Sequence, residues 1–233
     1  MGNSIKSHAL TTLLALMCGF LGAAIWSYSG LADARTKSYL ISNPDILPQM
    51  ADAYQRQQSA QRMAGLTGEV TQAFPGAILG NPNGSKVLVE FTDYNCPYCQ
   101  KSHADVTKLV ESDPDLKVVI REWPIFQGSD LAARMALAAA KQGKFAGFHE
   151  AMFRMTPATP ETIRAAAQAA GLDLDQAQAD GQSPDVEAEL LRNASLAQQI
   201  GFTGTPSWVA GDQAFEGAVG YTALKRAADA SVE

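Results

Sequence analysis

The stretch "VLVEFTDYNCPYCQKSH", residues 87–103, decides the fold. Its first half, with Lys86 before it, is "KVLVEF", a β-branched and nearly continuous apolar run of the kind found in strands buried on both faces. The run leads into Cys96-Pro97-Tyr98-Cys99, and "CPYCQKSHADVTKLVES" reads as a helix that stops before Asp113-Pro114. A second apolar run, "LKVVIREW" at 116–123, follows at once. Strand, helix and strand within residues 86–123 make a βαβ unit, with parallel strands and a right-handed crossover.

Two of the chain's three cysteines lie in this stretch. A structural staple is a poor account of them. The loop they close holds only Pro97 and Tyr98, so closing it restricts the unfolded chain very little. Zinc requires four ligands, and there is no second C-x-x-C or His pair. His103, one helical turn beyond Cys99, brings the set to three at most, which suits Cu(I) on two thiolates better than zinc. A redox pair fits the position best. Cys96 falls where a strand meets a helix N-terminus, and the unpaired N–H groups and positive dipole end there favour a thiolate. Pro97 suits the first helical position, which has no amide to satisfy. A free thiol of pKa about 8.5 is only about 3% ionised at pH 7, and each pH unit of lowering favours the anion by ~1.4 kcal/mol. The expected site is an exposed nucleophilic sulfur at Cys96, with a more buried Cys99 to resolve a mixed disulfide.

Outward from this unit, residues 129–201 are helical and Ala-rich. They contain "SDLAARMALAAAKQGKFAGFHEAMFRM", a Thr159-Pro160 start and a Ser183-Pro184 start, and no residue type in them suggests chemistry. Then come two short strands, "TPSWVAG" and "QAFEGAV", turning at Gly211-Asp212, and a terminal helix in "GYTALKRAADASVE". Upstream, "FPGAILGNPNGSK" at 74–86 reads as a connector. Residues 39–73 are polar and helix-leaning, with Asn43 as the expected N-cap and Pro44 at the first helical position. Leu40, Leu47, Met50 and Tyr54 give them a short apolar seam. Such a segment either docks on its own domain or associates with copies of itself.

The 233 residues are 46% apolar and carry a net charge of -6, with no Lys/Arg cluster, which excludes nucleic acid as a partner. Residues 9–28 carry no formal charge and end in Trp26 and Tyr28, and twenty helical residues span about 30 Å. "LADA" at 31–34 offers a small-residue cleavage pattern, whereas the length of the run, beyond the ~7–15 residues of an ordinary leader, favours an anchor. Either fate exports the remainder. Cys18, mid-run and preceded by Met17, reads as a buried apolar thiol.

"VLVEFTDYNCPYC" together with the later "GFTGTPSW" resembles the thioredoxin-fold disulfide oxidoreductases of the DsbA type, and among them the exported ScsC-like branch with its N-terminal oligomerisation segment. The resemblance runs from about Pro44 to the C-terminus. It implies an α/β thioredoxin fold, βαβ-ββα, with an α-helical insertion at about 129–201. With the signal or anchor read from residues 1–34, the expected organisation adds a helical oligomerisation or linker segment at 35–75 and the DsbA-like domain at 76–233. It implies that Thr205-Pro206 is a cis-proline loop that holds an extended client against the cysteines, where the residues alone admit a simple turn. It implies that Glu90 is a buried acid serving the inner cysteine, where the alternative is a solvated carboxylate at a strand edge. It also implies cysteine-containing client proteins, a membrane thiol reductase or oxidase as redox partner, a homo-oligomer through residues 39–73, a periplasmic setting and a link to copper stress. No cofactor is expected beyond the redox-active Cys96–Cys99 disulfide. Tyr98 and Thr205 depart from the oxidase pattern, which has His and Val at those places. No charge at residue 98 then stabilises the thiolate, so isomerase or reductase activity is expected over net oxidation. The rival readings are a DsbA-like net oxidase, a Cu(I)-binding module at Cys96 and Cys99, and a redox-independent chaperone.

Overall fold

The structure is a computed structural model that describes residues 2–28 and 31–231, and it divides between Gln55 and Arg56. The first unit holds helix α1 (Gly2–Tyr28), helix α2 (Leu31–Ser42) and the first turns of helix α3 (Ile46–Met63). Of the expected leader, residues 1, 29 and 30 lie outside the described residues. Among the described residues no helix is long and apolar enough to cross a membrane, and the tether expected at residues 9–28 is withdrawn. The run is diluted by Gly19, Gly22, Thr11 and Thr12, and both threonine hydroxyls donate to the His8 carbonyl, at 2.9 and 2.8 Å.

The helix start expected at Asn43-Pro44 falls two residues later. Proline disfavours helical backbone at the residue before it, so α2 stops at Ser42. The Asn43 side chain then donates back to the Tyr39 carbonyl (2.8 Å), closing α2 where it was expected to open α3. Along α2 and α3, Leu40, Ile41, Pro44, Ile46, Leu47 and Met50 border a groove of about 580 Å³.

The second unit begins inside the segment assigned to linker or oligomerisation. Met63 and Val70, the latter in helix α4 (Thr67–Val70), are fully buried. The Ser59 hydroxyl donates to the Asp212 carbonyl (3.1 Å) and accepts from the Ala214 amide (2.5 Å). Residues 56–70 therefore dock on the domain. Strand β1 (Ile78–Gly80) lies in what reads as connector and pairs antiparallel at the sheet edge. Gly80 is required there: it has φ +76, and a Cβ would meet the Leu116 carbonyl oxygen at 2.5 Å.

Strands β2 (Lys86–Thr92) and β3 (Leu116–Glu122) pair in parallel around helix α5 (Pro97–Ser112), as the apolar runs predict. Five helices follow, α6 (Ser129–Lys141), α7 (Phe145–Arg154), α8 (Pro160–Ala169), α9 (Leu174–Gly181) and α10 (Pro184–Ile200). The Thr159-Pro160 start is a capping box, in which Thr159 and Thr162 bond reciprocally. Helix α9, which the sequence reading missed, is capped by Asp173 through the Gln176 amide (3.0 Å). Strands β4 (Ser207–Ala210) and β5 (Gln213–Glu216) and helix α11 (Tyr221–Ala230) complete the chain. Sheet order is β1-β3-β2-β4-β5. This is the α/β thioredoxin fold with a helical insertion.

Strand alternation divides the core. Leu88, Val118, Ile120 and Trp208 face a cluster with Cys99, Val106 and Leu109 of α5 and much of α6 and α7. Val89, Phe91, Val119 and Val209 face Met63, Val70, Leu196 and Ile200. The cysteines sit at the C-terminal end of β2, over the first of these faces.

Candidate active site

The loop from Thr92 to Cys96 is fixed by two side chains that the sequence reading passed over. Asp93 accepts from the Asn95 amide (2.7 Å) and the Ser129 hydroxyl (2.5 Å) through Oδ1, and from the Ile125 and Phe126 amides (2.7 and 2.9 Å) through Oδ2. Asn95 donates to the Gln127 carbonyl (3.1 Å) and accepts from the Ala158 amide (2.7 Å). The loop is thereby tied to the strand exit after β3 and to the insert. An Asp that accepts from the backbone amide two residues on is a legible Asx-turn signal.

Cys96 takes the N-cap position of α5 with extended backbone, and Pro97 occupies the first turn. Tyr98 projects to solvent at 63% exposure. Both thiols are free, and both are covered: Cys96 is 1% and Cys99 0% exposed. The exposed Cys96 sulfur that the sequence suggests is therefore not what the fold provides. The 203–206 loop is the reason, because the Thr205 carbonyl oxygen lies 3.1 Å from Cys96 Sγ. The Thr205-Pro206 peptide is cis. Glu216 holds this loop by accepting from the Thr203 and Gly204 amides (2.5 and 3.2 Å), and the Pro206 carbonyl accepts from the Gly217 amide (2.8 Å).

The two sulfurs are electrostatically unequal. The Cys99 thiol is the largest influence on Cys96; burial works against it, the Cys99 and Tyr98 amides add to it, and the Cys96 pKa is lowered to about 6. At pH 7 such a thiol is about 90% thiolate. Cys99 is pushed far up, first by burial and then by its pairing with Cys96. Beneath them Glu90, 1% exposed, is raised to about 8 by burial, with the Cys96 charge adding. Glu90 is no solvated edge carboxylate. Its neighbours across the sheet are Ile120 and Trp208.

A second group of polar side chains converges on this face. Glu122 of β3 is buried and raised well above the carboxylate range by that burial. It accepts from the Tyr94 hydroxyl (2.9 Å), which also meets His149 Nδ1 at 2.8 Å. His103 Nε2 pairs with Glu150 Oε2 (2.6 Å), and its ring stacks on Phe153. His103 is thus committed to α7, and the copper set of Cys96, Cys99 and His103 is not formed. Among the described residues no group of three or more His, Cys, Asp or Glu side chains is placed to hold a metal ion. His149 and Glu150 come from the insert, the block in which the sequence reading found no chemistry.

A thiolate beside a protonated thiol, above a buried acid and against a cis-proline loop, is equipped for thiol–disulfide exchange. The model of the DSBA-like thioredoxin domain matches residues 87–229, more than half of the chain. The chain belongs to that family. A thioredoxin-like oxidoreductase from Silicibacter pomeroyi DSS-3 is 45% identical, with TM-score 0.63, covering 66% of this chain and 90% of that one. A periplasmic thioredoxin-like protein from Salmonella enterica serovar Typhimurium is 28% identical (TM-score 0.61; 72% and 95% covered). The catalytic domain of Proteus mirabilis ScsC is 26% identical (TM-score 0.65; 74% and 98% covered). The chain spans between 21% and 26% of the length of the curated sequence relatives it matches, which are Na(+)/H(+) antiporters of the NhaA type. Family membership supports a general thiol–disulfide oxidoreductase activity.

Proposed function

We propose that this protein is an exported thiol–disulfide oxidoreductase that reduces or isomerises client disulfides in preference to introducing them. One observation carries the preference: Cys96 is depressed only to about 6, with Cys99 as the main cause and no charged neighbour at Tyr98. The stronger a protein's preference for its thiolate, the more oxidising its disulfide; strong oxidants lie near pKa 3.5 and thioredoxin near 7. Cys96 is nearer the reducing end.

The Cys96 thiolate attacks one sulfur of a client disulfide, and the other client sulfur leaves as a thiolate. Cys99 then loses its proton and attacks Cys96, so that the Cys96–Cys99 bond forms as the client's second thiolate departs. In isomerisation a different client thiolate instead attacks the client sulfur of the mixed disulfide, a client disulfide forms, and Cys96 leaves as a thiolate, so the pair stays reduced. Glu90 is suited to receive the Cys99 proton at the right moment. Burial holds Glu90 protonated, and the Cys96 charge adds to it. Capture of Cys96 as a mixed disulfide removes that charge, and Glu90 ionises more readily just when a base is needed. Thr205-Pro206 supplies backbone for an extended client segment. A membrane thiol reductase would keep the pair reduced. Export is supported by the periplasmic relative, and self-association by the apolar groove along α2 and α3 and by the exposed Leu47, Met50 and Tyr54.

The test is the equilibrium reduction potential of the pair against glutathione, with elution mass and reactivation of scrambled ribonuclease on the same sample. A potential well below about -120 mV, with an oligomer and reactivation, is the expected result. A value near about -120 mV in a monomer without reactivation makes the protein a net oxidase.

A further inference from the structure

The acid below the cysteines does not stand alone. In the parallel register Glu90 faces Ile120 and Thr92 faces Glu122, so Glu90 and Glu122 share one face of β2 and β3 as diagonal neighbours. The Glu90 charge is felt both at Cys99 and at Glu122. From Glu122 a chain of polar atoms leads away from the sheet through Tyr94 to His149. The His149 and His103 rings are in edge contact, with centroids 5.3 Å apart. Nε2 of the one and Nδ1 of the other are buried without a hydrogen-bond partner. His103 then meets Glu150, which is 42% exposed at its side chain and has Arg154 at 3.6 Å on its far side. Burying a carboxyl, a phenol and an imidazole in one apolar cluster is costly unless they serve one another.

We infer that Glu122, Tyr94, His149 and His103 form a proton relay that carries the proton lost by Cys99 from Glu90 to Glu150 at the surface. The inference rests on the oxidoreductase reading and adds to it the route by which the proton leaves. The Tyr94 hydroxyl has one proton and two partners, so the chain has two arrangements. In the first, the protonated Glu122 carboxyl donates to the Tyr94 oxygen, and Tyr94 donates to His149 Nδ1. A concerted shift of both protons leaves a Glu122 carboxylate accepting from Tyr94 and a His149 imidazolium. The imidazolium passes its Nε2 proton to His103, and Glu150 takes it to solvent. The Glu122 carboxylate is then free to accept the Glu90 proton, and the Glu90 carboxylate so formed takes the proton of Cys99. The S–H electron pair of Cys99 forms the Cys96–Cys99 bond, and the Cys96–client pair leaves with the client thiolate. Burial holds His149 neutral at rest, so its cation is a passing state. The other titratable groups around the relay are Asp93, fully engaged with Asn95, Ile125, Phe126 and Ser129, and Cys96 itself.

The test uses the full chain carrying Cys18→Ala, to remove a third thiol, and an aromatic disulfide reagent that releases one coloured thiolate per attack. The first release reports Cys96 and the second reports Cys99. General acid–base steps contribute roughly 10²–10⁴-fold, so Tyr94→Phe should lower the ratio of second to first rate by at least about 10-fold at pH 7. The ratio should recover as rising pH ionises Cys99 directly, and Glu122→Gln should follow the same profile. A merely structural role for Tyr94 would not move the pH profile. If both variants keep the wild-type ratio at every pH while Glu90→Gln lowers it, the proton leaves from Glu90 and the relay is refuted. If Tyr94→Phe does not fold, infrared difference spectra of reduced and oxidised wild type decide: a protonated-carboxyl band that disappears in Glu122→Gln supports the relay, and its absence from wild type refutes it. No second release from wild type would instead remove the oxidoreductase reading itself.

Discussion

Replacing Cys99 with alanine separates the two explanations for the acidity of Cys96. A helix N-terminus alone favours a thiolate there, and Pro97 and the α5 amides are untouched by the change. The structure instead makes the Cys99 thiol the largest contributor. A hydrogen bond to a charged group is worth about 1.5–3 kcal/mol. At ~1.4 kcal/mol per pH unit, its loss should raise the Cys96 ionisation midpoint by about 1–2 pH units. At pH 6, where about half of the wild-type thiol is ionised, the variant would be only about 1–10% thiolate. Alkylation would slow less than this suggests, because a more basic thiolate is the better nucleophile, with a Brønsted slope of about 0.4–0.5. The midpoint is therefore the quantity to measure, by thiolate absorbance or by iodoacetamide rates across pH, in a Cys18→Ala background. Cys99→Ser, which keeps a hydroxyl donor, should move it much less than Cys99→Ala does. If the alanine variant titrates with wild type, the helix terminus and backbone amides carry the effect, and the ranking argued from the structure is wrong.

Glu90 makes a pH-dependent prediction about stability. Its folded pKa of about 8 lies above the ordinary carboxylate value, so the stability it contributes is full below about pH 4.5 and is lost as pH rises through 8. By pH 7 the loss is about 3 kcal/mol, and Glu90→Gln should therefore gain on wild type between pH 5 and pH 8 in urea melts of the reduced protein. Parallel pH curves for the two proteins would contradict this. Arg121, 1% exposed, donates to Glu189 (2.9 Å), Asn193 (2.8 Å) and the carbonyls of Glu69, Val70 and Gln72. Arg121→Ala should cost about 3–5 kcal/mol, and Arg121→Met with Glu189→Met should recover much of it, because the single change leaves the buried Glu189 carboxylate with only the half-exposed Arg192 (2.9 Å) as its cation. A single-variant loss below about 1 kcal/mol would show that water reaches the pair. Ser59→Ala removes the two hydrogen bonds that dock the end of α3 on the β4–β5 turn, and should lower stability by about 1–2 kcal/mol in the same assay. An unchanged midpoint would mean that Met63 and Val70 hold the segment alone.

What was legible in the sequence followed from short-range rules. The runs at 86–91 and 116–123 are apolar on both faces, so they could only be interior strands, and the Thr159-Pro160 start announces its own cap. The cysteine pair could be placed at a strand–helix junction by periodicity alone. The edge strand at 78–80 escaped because three residues flanked by Gly and Pro carry no period. Docking of residues 56–70 was ambiguous because Met63 and Val70 are single apolar residues in a polar segment, and their partners, Phe91 and Ile200, are distant in sequence. His149 and Glu150 were invisible as site residues for a related reason. Only the packing of α7 against α5 brings them to His103, and "GFHEAMF" reads as any amphipathic helix.

The alternation of β2 and β3 explains how a sheet this small serves both chemistry and anchorage. Even-numbered residues Leu88, Glu90, Val118, Ile120 and Glu122 turn toward the cysteine face, and odd-numbered Val89, Phe91, Val119 and Arg121 turn toward the docked N-terminal segment and α10. Each face holds buried charge-bearing groups, yet the two are handled oppositely. Arg121 is saturated by Glu189, Asn193 and three carbonyls, so its charge is fixed and its environment rigid. Among the described residues Glu90 and Glu122 have no cation beside them, and burial instead raises both, so they exist near neutrality as acids with a proton to exchange. A saturated arginine is what an anchor needs, and an under-compensated carboxyl is what a proton acceptor needs. A one-residue slip of β3 would put each on the wrong face, so the register that buries the apolar side chains is also the register that separates the two roles.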